Sequence, residues 1–243
     1  MKIIPLSEGS FTIDKTKVFV PFDEAKDFLR ERPTGSLLVE VQPFLMITGN
    51  DVLLLDTGLG FINENGIPQI HQLLIDEGIN PSEVTKVLMS HLHKDHSGGV
   101  GITGTNKLTF PAAKYYVQKK ELEFALNDTS SSYIKEDLLC LQDARQVVLL
   151  DGDGIIDGYI HYEMTAAHTR YHQVFKIKEN DKIIFFGGDD APQYQQMKNK
   201  YVAKYDFDGK KCMQLRQQWG DEGAQAHWTF LFYHDIKTPV MSL

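Results

Sequence analysis

The stretch His91-Leu92-His93-Lys94-Asp95-His96, followed at once by Ser97-Gly98-Gly99, decides how the rest of this chain is read. It packs three imidazoles and one carboxylate into six residues. Neutral imidazole and carboxylate are the groups that hold a hydrolytic Zn²⁺ while leaving one position open for water. Spacing matters as much as composition. Val84–Met89 is apolar and strand-like, and in an extended segment residues i and i+2 point the same way, so His91 and His93 can close on one ion. Asp95 and His96 fall past the strand end, where a turn into Ser97-Gly98-Gly99 can aim them at a second ion. A histidine-rich surface loop, the bland alternative in a chain with 9 His, explains neither the order nor the preceding strand.

Outward from this stretch, the 243 residues read as a single domain, 1–243, with no Pro/Gly/Ser tract or long block of like charge to act as a linker. A net charge of −8 argues against nucleic acid, whose phosphates need clustered Lys and Arg. Cys140 and Cys212 neighbour none of the clustered histidines and read as reduced, buried thiols rather than metal ligands. The N-terminus lacks the apolar core of a signal peptide and no run reaches membrane-spanning length. The expectation is a cytoplasmic protein with no membrane partner, unless a leader has been removed.

The elements follow from apolar patterning. Phe11–Val20 and Ser36–Ile47 read as strands, separated by a charged segment, Pro21–Gly35, with a short helix. Gly49-Asn50-Asp51 turns the chain into Val52–Leu55, whose unbroken apolar run predicts burial on both faces. Helices are expected at Ile67–Gly78, Lys119–Leu126, Tyr133–Asp143 and Gly209–Trp219, and short strands at Leu108–Phe110 and Lys114–Val117. Gln146–Leu150, Tyr159–Thr165, His172–Ile177, Ile183–Phe186 and Trp228–Tyr233 complete the strands. Two stacked sheets with helices outside, an α/β arrangement with function at the strand ends, accommodate this order. The strand-end pattern of 91–96 recurs three times: His168, Asp189 and His234 each follow an apolar strand.

With these residues assembled, the chain resembles the metallo-β-lactamase superfamily, whose hallmark is HxHxDH followed by a downstream His, an Asp after a strand and a final His. The resemblance runs from Leu54-Leu55-Asp56-Thr57-Gly58 to His234-Asp235. Gly188-Asp189-Asp190-Ala191-Pro192, Tyr205-Asp206 and the final Tyr-His-Asp look most like its lactonase and organophosphate-hydrolase branch. It implies a four-layer αββα sandwich and two divalent metal ions, zinc first, with manganese or iron as alternatives. By resemblance His91, His93 and His168 would hold one ion, Asp95, His96 and His234 the other, and Asp189 rather than the adjacent Asp190 would bridge them. The family's second motif has Gly-His-Thr-Pro-Gly-His, whereas this chain has Ala167-His168-Thr169-Arg170-Tyr171-His172, a turn built differently that can point Arg170 and Tyr171 toward substrate.

The expected chemistry is hydrolysis of a small, uncharged or weakly charged molecule, first a lactone such as an acyl-homoserine lactone. Asp95 and Tyr194 are the candidate catalytic residues, Tyr194 by placing its hydroxyl on the substrate carbonyl, as a tyrosine does in lactonase relatives. Asp56, at the end of a buried strand, should orient a ligand histidine, and Asp235 is a candidate for the same part. His172, His71, His161 and His227 read as structural, and Phe22, Phe28, Phe61 and Tyr171 as candidates for an apolar pocket. A glyoxalase II-like thioesterase, an organophosphate hydrolase and a β-lactamase share the ligand set. A mononuclear iron dioxygenase is the rival from another class. Lys94 stands where flavodiiron relatives carry an iron-ligating carboxylate, which disfavours O₂ or NO reduction. Monomer and homodimer are both open.

Overall fold

The computed structural model describes residues 1–243. The strands are β1 (Lys2–Pro5), β2 (Gly9–Ile13), β3 (Val20–Pro21), β4 (Leu37–Val41), β5 (Phe44–Ile47), β6 (Val52–Leu55), β7 (Lys86–Leu88), β8 (Lys114–Gln118) and β9 (Val147–Leu150). They continue as β10 (Gly154–Ile156), β11 (Ile160–Met164), β12 (Gln173–Glu179), β13 (Lys182–Phe186), β14 (Thr229–Leu231) and β15 (Val240–Ser242). Two six-stranded sheets result, ordered β1-β5-β6-β7-β8-β9 and β10-β11-β12-β13-β14-β15, beside a small sheet β3-β2-β4. The α-helices are α1 (Gln69–Asp76), α2 (Lys94–Ser97), α3 (Lys119–Asn127), α4 (Lys135–Leu138), α5 (Cys140–Asp143), α6 (Tyr194–Lys198) and α7 (Gly209–Ala226).

Alternation along the strands builds three apolar layers. Leu53 and Leu55 of β6, with Phe44 and Met46 of β5, meet Phe175, Ile177, Ile184 and Phe186 between the large sheets. Leu54 and Leu45 face the other way, onto Ile70 and Leu74 of α1 and Leu122 of α3. Phe185, Phe230 and Phe232 pack outward against Trp219 of α7 and Trp228. Helix, sheet, sheet and helix therefore stack as an αββα sandwich, and Leu53, Leu54 and Leu55 are buried to 0% exposure, as the unbroken run requires. Each such side chain contributes roughly 1.5–3 kcal/mol by leaving water.

Where the chain departs from its sequence pattern, a local cause is visible. Phe11–Val20 splits into β2 and β3 around a turn in which Thr16 N–H and Oγ–H both donate to Asp14 Oδ1. Ser36–Ile47 splits at Gln42-Pro43, where the chain leaves the small sheet for the first large one, because Pro43 has no N–H for a continuing ladder. The helix expected in Pro21–Gly35 is a single 3₁₀ turn, Leu29–Glu31. Leu108–Phe110 forms only an isolated bridge between Gly101 and Leu108. Tyr133–Asp143 is two short helices, α4 and α5. Helix α7 runs seven residues beyond Trp219, to Ala226, because Gly223 lets the Phe230 ring approach where a Cβ would lie at 2.5 Å. The edge strands β1 and β15 carried too short a pattern to read. No helix is long and apolar enough to cross a membrane.

Strand direction positions the site. β6 and β7 are parallel, β13 and β14 are parallel, and β11 and β13 both run antiparallel to β12. The C-terminal ends of β6, β7, β11, β13 and β14 thus share one edge of the sandwich, and each leads into a polar residue: Asp56, His91, His168, Asp189 and His234. Gln173 ties the sheets there, donating to Met89 O at 2.7 Å and accepting from Gln118 at 2.9 Å.

Candidate metal centre

The segment after β7 stays extended through His93, which is the N-cap of α2 with φ −62° and ψ 148°. His91 and His93 therefore converge: His91 Nε2 lies 3.1 Å from His93 Nδ1, and His168 Nε2 lies 3.1 Å from the same atom. Helix α2 swings Asp95 and His96 to a second focus with His234, where Asp95 Oδ2 is 3.7 Å from His96 Nε2 and 3.4 Å from His234 Nε2. Asp189 stands between the foci. Its Oδ2 is 3.3 Å from His168 Nε2, while its Oδ1 is 3.1 Å from His96 Nε2 and 3.0 Å from His234 Nε2. All seven residues named from the sequence thus meet in two adjacent groups.

Hydrogen bonding alone does not satisfy these atoms. His93 Nδ1 carries one proton or one lone pair, so it can complete a bond with only one of the two nitrogens facing it. His96 Nε2 and Asp189 Oδ1 are buried with no hydrogen-bond partner, a costly arrangement unless something else coordinates them. Nitrogens gathered tetrahedrally at about 2.0–2.1 Å from a zinc ion would lie about 3.3 Å apart, close to the spacing found. The donor set, imidazole nitrogen and carboxylate oxygen, fits a divalent transition metal.

The far side of four of the five rings, all but His93, is anchored. Asp56, in the left-handed region at φ 57°, sets its Oδ2 2.7 Å from His96 Nδ1 and accepts from Ser90 N–H at 2.7 Å and Ser90 Oγ–H at 2.6 Å. Ser90 Oγ lies 3.0 Å from His91 Nδ1. Asp206 Oδ1 is 2.8 Å from His168 Nδ1, and the Glu40 carbonyl is 2.6 Å from His234 Nδ1. Such partners fix which nitrogen faces inward. The glycines after the motif serve close approach: a Cβ on Gly99 would sit 2.2 Å from Thr57 O. Gly188, at φ +48°, brings the Asp189 turn against Ser90 and His172.

Electrostatics divide the rings. Burial, followed by neighbouring imidazoles, holds His91 and His93 well below the usual imidazole range, and Lys17 adds to the effect at His93. Burial opposes charge on His96, His168 and His234 too, but the Asp189 carboxylate outweighs it with its neighbours and raises all three. Burial likewise opposes charge on Asp189, yet His234, His96 and His168 hold it well below the carboxylate range.

The remaining expectations sort by geometry. Asp190 points away from the foci: its Oδ1 accepts from His168 N–H at 2.7 Å and its Oδ2 lies 3.0 Å from His172 Nδ1. His172 accepts the Asp189 N–H at 3.2 Å, a structural part. His71 reaches the Thr109 carbonyl, His227 caps α7, and His161 lies on β11, all outside the two groups. Asp235 accepts from the backbone of Tyr194, Lys237 and Thr238 and orients no ligand histidine. Cys140 and Cys212 are free, buried thiols.

Both groups open onto a cavity of about 1300 Å³ lined by His93, Asp95, His168, Asp189 and His234. Tyr194 does not reach it: its ring packs on Phe232 under the Lys198 ammonium, because α6 begins there and turns the side chain outward. The tyrosines of this wall are Tyr133, Tyr201 and Tyr205, the last 6.1 Å from the His168 ring between centroids. Phe22, Phe28, Phe61 and Tyr171 are not in the lining, which draws its phenylalanines from Phe19, Phe124 and Phe207, whereas Arg170 is. The sequence marked Tyr205-Asp206 only as a sign of the family branch, with no role for either, and gave no part to Glu121 or Lys17. Buried Glu121 accepts from Leu92 N–H, Tyr133 O–H and Thr169 O–H, clamping the two histidine loops together. No spacing rule connects it to either loop.

Comparison with known proteins agrees with this geometry. The N-acyl homoserine lactonase AttM of Azorhizobium caulinodans is 32% identical over 108 residues, which span 42% of this chain and only 38% of AttM. An N-acyl homoserine lactonase of a Bacillus species is 27% identical over 223 residues, 84% of each chain. AidC, described as a dizinc quorum-quenching lactonase and solved with a product bound, shares the fold at a TM-score of 0.74 and 17% identity, over 98% of this chain and 88% of its own. The sequence profile of the metallo-beta-lactamase superfamily matches residues 38–211, well over half the chain, and six of the seven residues of the two groups, all but His234, fall inside it. This protein belongs to the metallo-beta-lactamase superfamily.

Proposed function

We propose that the protein is a dinuclear metal hydrolase, zinc being the first candidate, that opens lactone or related ester bonds in a small molecule. The observation that carries this reading is the division of the Asp189 carboxylate, with one oxygen facing each group of imidazoles. In it His91, His93 and His168 would hold one cation, Asp95, His96 and His234 the other, with the Asp189 carboxylate available to both. Two bound cations would supply an acidified water at neutral pH and polarise a carbonyl oxygen. The chain's own residues do the rest. Asp56, Asp206, Ser90 and the Glu40 carbonyl keep the rings turned inward, and the cavity wall admits and orients the ester. Asp95, buried at the cavity wall, receives and releases a proton as the ring opens. The lactonase relatives in sequence support lactones over thioesters, phosphotriesters and β-lactams.

The test is a panel of those four substrate classes assayed on zinc- or manganese-loaded protein, alongside metal analysis. Two metal equivalents per chain with preferential lactone turnover is the expected result. One iron per chain, or no turnover of any lactone, would sink the reading.

A further inference from the structure

The rim of the cavity carries an excess of positive charge that the hydrolytic chemistry does not use. Lys15, Lys17, Lys94, Arg170 and Lys204 all line it, in a chain whose net charge is −8. Five lysines outside the cavity find carboxylates: Lys2 with Glu77, Lys26 with Asp23, Lys86 with Asp51 and Asp157, Lys119 with Glu123, and Lys176 with Glu222. The five rim cations have no such partner. The carboxylates that share their cavity are engaged: Asp14 accepts from Thr16, Asp206 faces His168, and Asp95 and Asp189 belong to the two metal-facing groups.

Two of the five stand out. Lys94 lies between His93 and Asp95 in sequence, so its stem leaves the floor of the site, and it is half-buried. Lys17 is also half-buried and overhangs from the β2–β3 turn, its N–H bonded to Asp14 O at 3.0 Å. It adopts φ 59°, a left-handed conformation that Gly or Asn takes more readily than Lys. Half-buried ammonium groups facing one cavity without a counter-ion form a site of positive potential, focused by the low-dielectric walls. The cavity also exceeds what a lactone ring alone would fill.

We propose that the substrate carries a second, anionic group of the carboxylate or phosphate kind, remote from the scissile bond and gripped by Lys17 and Lys94; this rests on the hydrolase reading above. It narrows the expectation of an uncharged or weakly charged substrate to an anionic one. Arg170, stacked 4.3 Å over Phe207, and Lys204 guide the same group from the opposite rim.

N-glutaryl- and N-pentanoyl-homoserine lactone differ only in a terminal carboxylate against a methyl group, and a 4-(phosphonooxy)butanoyl analogue supplies the phosphate arm. At low ionic strength an anionic member should show kcat/KM about ten-fold or more above the neutral one, carried by KM and shrinking as salt rises. In Lys17→Gln that preference should fall to about two-fold or less. Calorimetric titration with the ring-opened products reads the same preference without turnover. Tighter, salt-sensitive binding of the anionic products, lost in Lys17→Gln, upholds the inference even where no lactone is hydrolysed, and then only the lactonase reading falls. Equal affinities across the three products, or a preference untouched by salt and by Lys17→Gln, overturn it.

Discussion

The floor and the rim of the cavity are built on opposite principles. On the floor, every metal-facing group sits at the end of a strand or in the first turn of α2, is nearly buried, and in most cases has its far side hydrogen-bonded. On the rim, most of the cations and aromatic rings stand on turns and loops, and several, Phe207 among them, are exposed to water. A rigid floor suits a reaction that tolerates little misplacement of the reacting atoms. A loop-borne rim suits recognition, which can change without disturbing that floor. Substitutions should therefore act on turnover of every substrate below, and on substrate choice above.

The largest effects belong to the floor. His93→Ala and Asp189→Asn should each lower kcat/KM by about 10³-fold or more on any substrate turned over, with far-ultraviolet circular dichroism preserved. They should differ in metal content. His93→Ala should lose about one equivalent, and Asp189→Asn, whose carboxylate faces both groups, should weaken both. Equal retention of metal in the two variants would break the shared-carboxylate arrangement.

One step outward, Asp56→Asn and Asp206→Asn test whether the floor is two separable half-sites. Each removes the acceptor behind one ligand ring, His96 or His168, and should cost about 10–100-fold in metal affinity at that half alone. Competition with a chromogenic chelator resolves the two affinities. Loss of both ions in either variant would mean that the halves load as a unit.

This division also explains what was legible in the sequence. His91 and His93 stand two apart in an extended segment, so strand periodicity alone makes them converge, and the turn of α2 after them carries Asp95 and His96 to the second focus. His168, Asp189 and His234 were found because each ends an apolar run, and parallel strands deliver such ends to one edge. Asp56 was readable for the same reason. Asp206 was not, since it lies on a loop before α7 and reaches His168 only because Asp208 N–H and Phe207 N–H bond back to Ala167 and His168 carbonyls. Tyr194 stands outside the cavity lining because the start of α6 turns it outward, which depends on the Asp235 carboxylate accepting its N–H, a tertiary fact. The rim depends on where loops fold over the edge, and no periodicity encodes that.

Beneath the floor, Glu8 offers a smaller effect with a defined sign. Its carboxyl is pushed up to about 8, first by burial and further by Asp95, against the Leu59 N–H that it accepts. The folded chain thus keeps a proton that the unfolded chain releases near the ordinary carboxylate value. Stability contributed by this group is full below that ordinary value and declines as pH rises toward 8, by about 1 kcal/mol per unit. Glu8→Gln should flatten the decline between pH 5 and 8, as urea denaturation at several pH values would read. An unchanged slope would show that Glu8 ionises freely and that the underside of the floor is wet.

The smallest effect expected is the most diagnostic of the boundary between wall and outer core. Tyr194→Phe removes a hydroxyl from a ring that packs on Phe232 beneath Lys198, outside the cavity, and should leave kcat/KM within about two-fold. Tyr205→Phe removes one from a ring that lines the cavity beside His168 and should cost about ten-fold, because a cavity hydroxyl near the reacting carbonyl bonds more strongly as charge develops there. The pair is matched in chemistry and differs only in which side of the wall it occupies. Were Tyr194→Phe the more damaging, α6 would have to unwind on substrate binding to turn that ring inward, and the floor's rigidity would not extend to the segment immediately after Asp189.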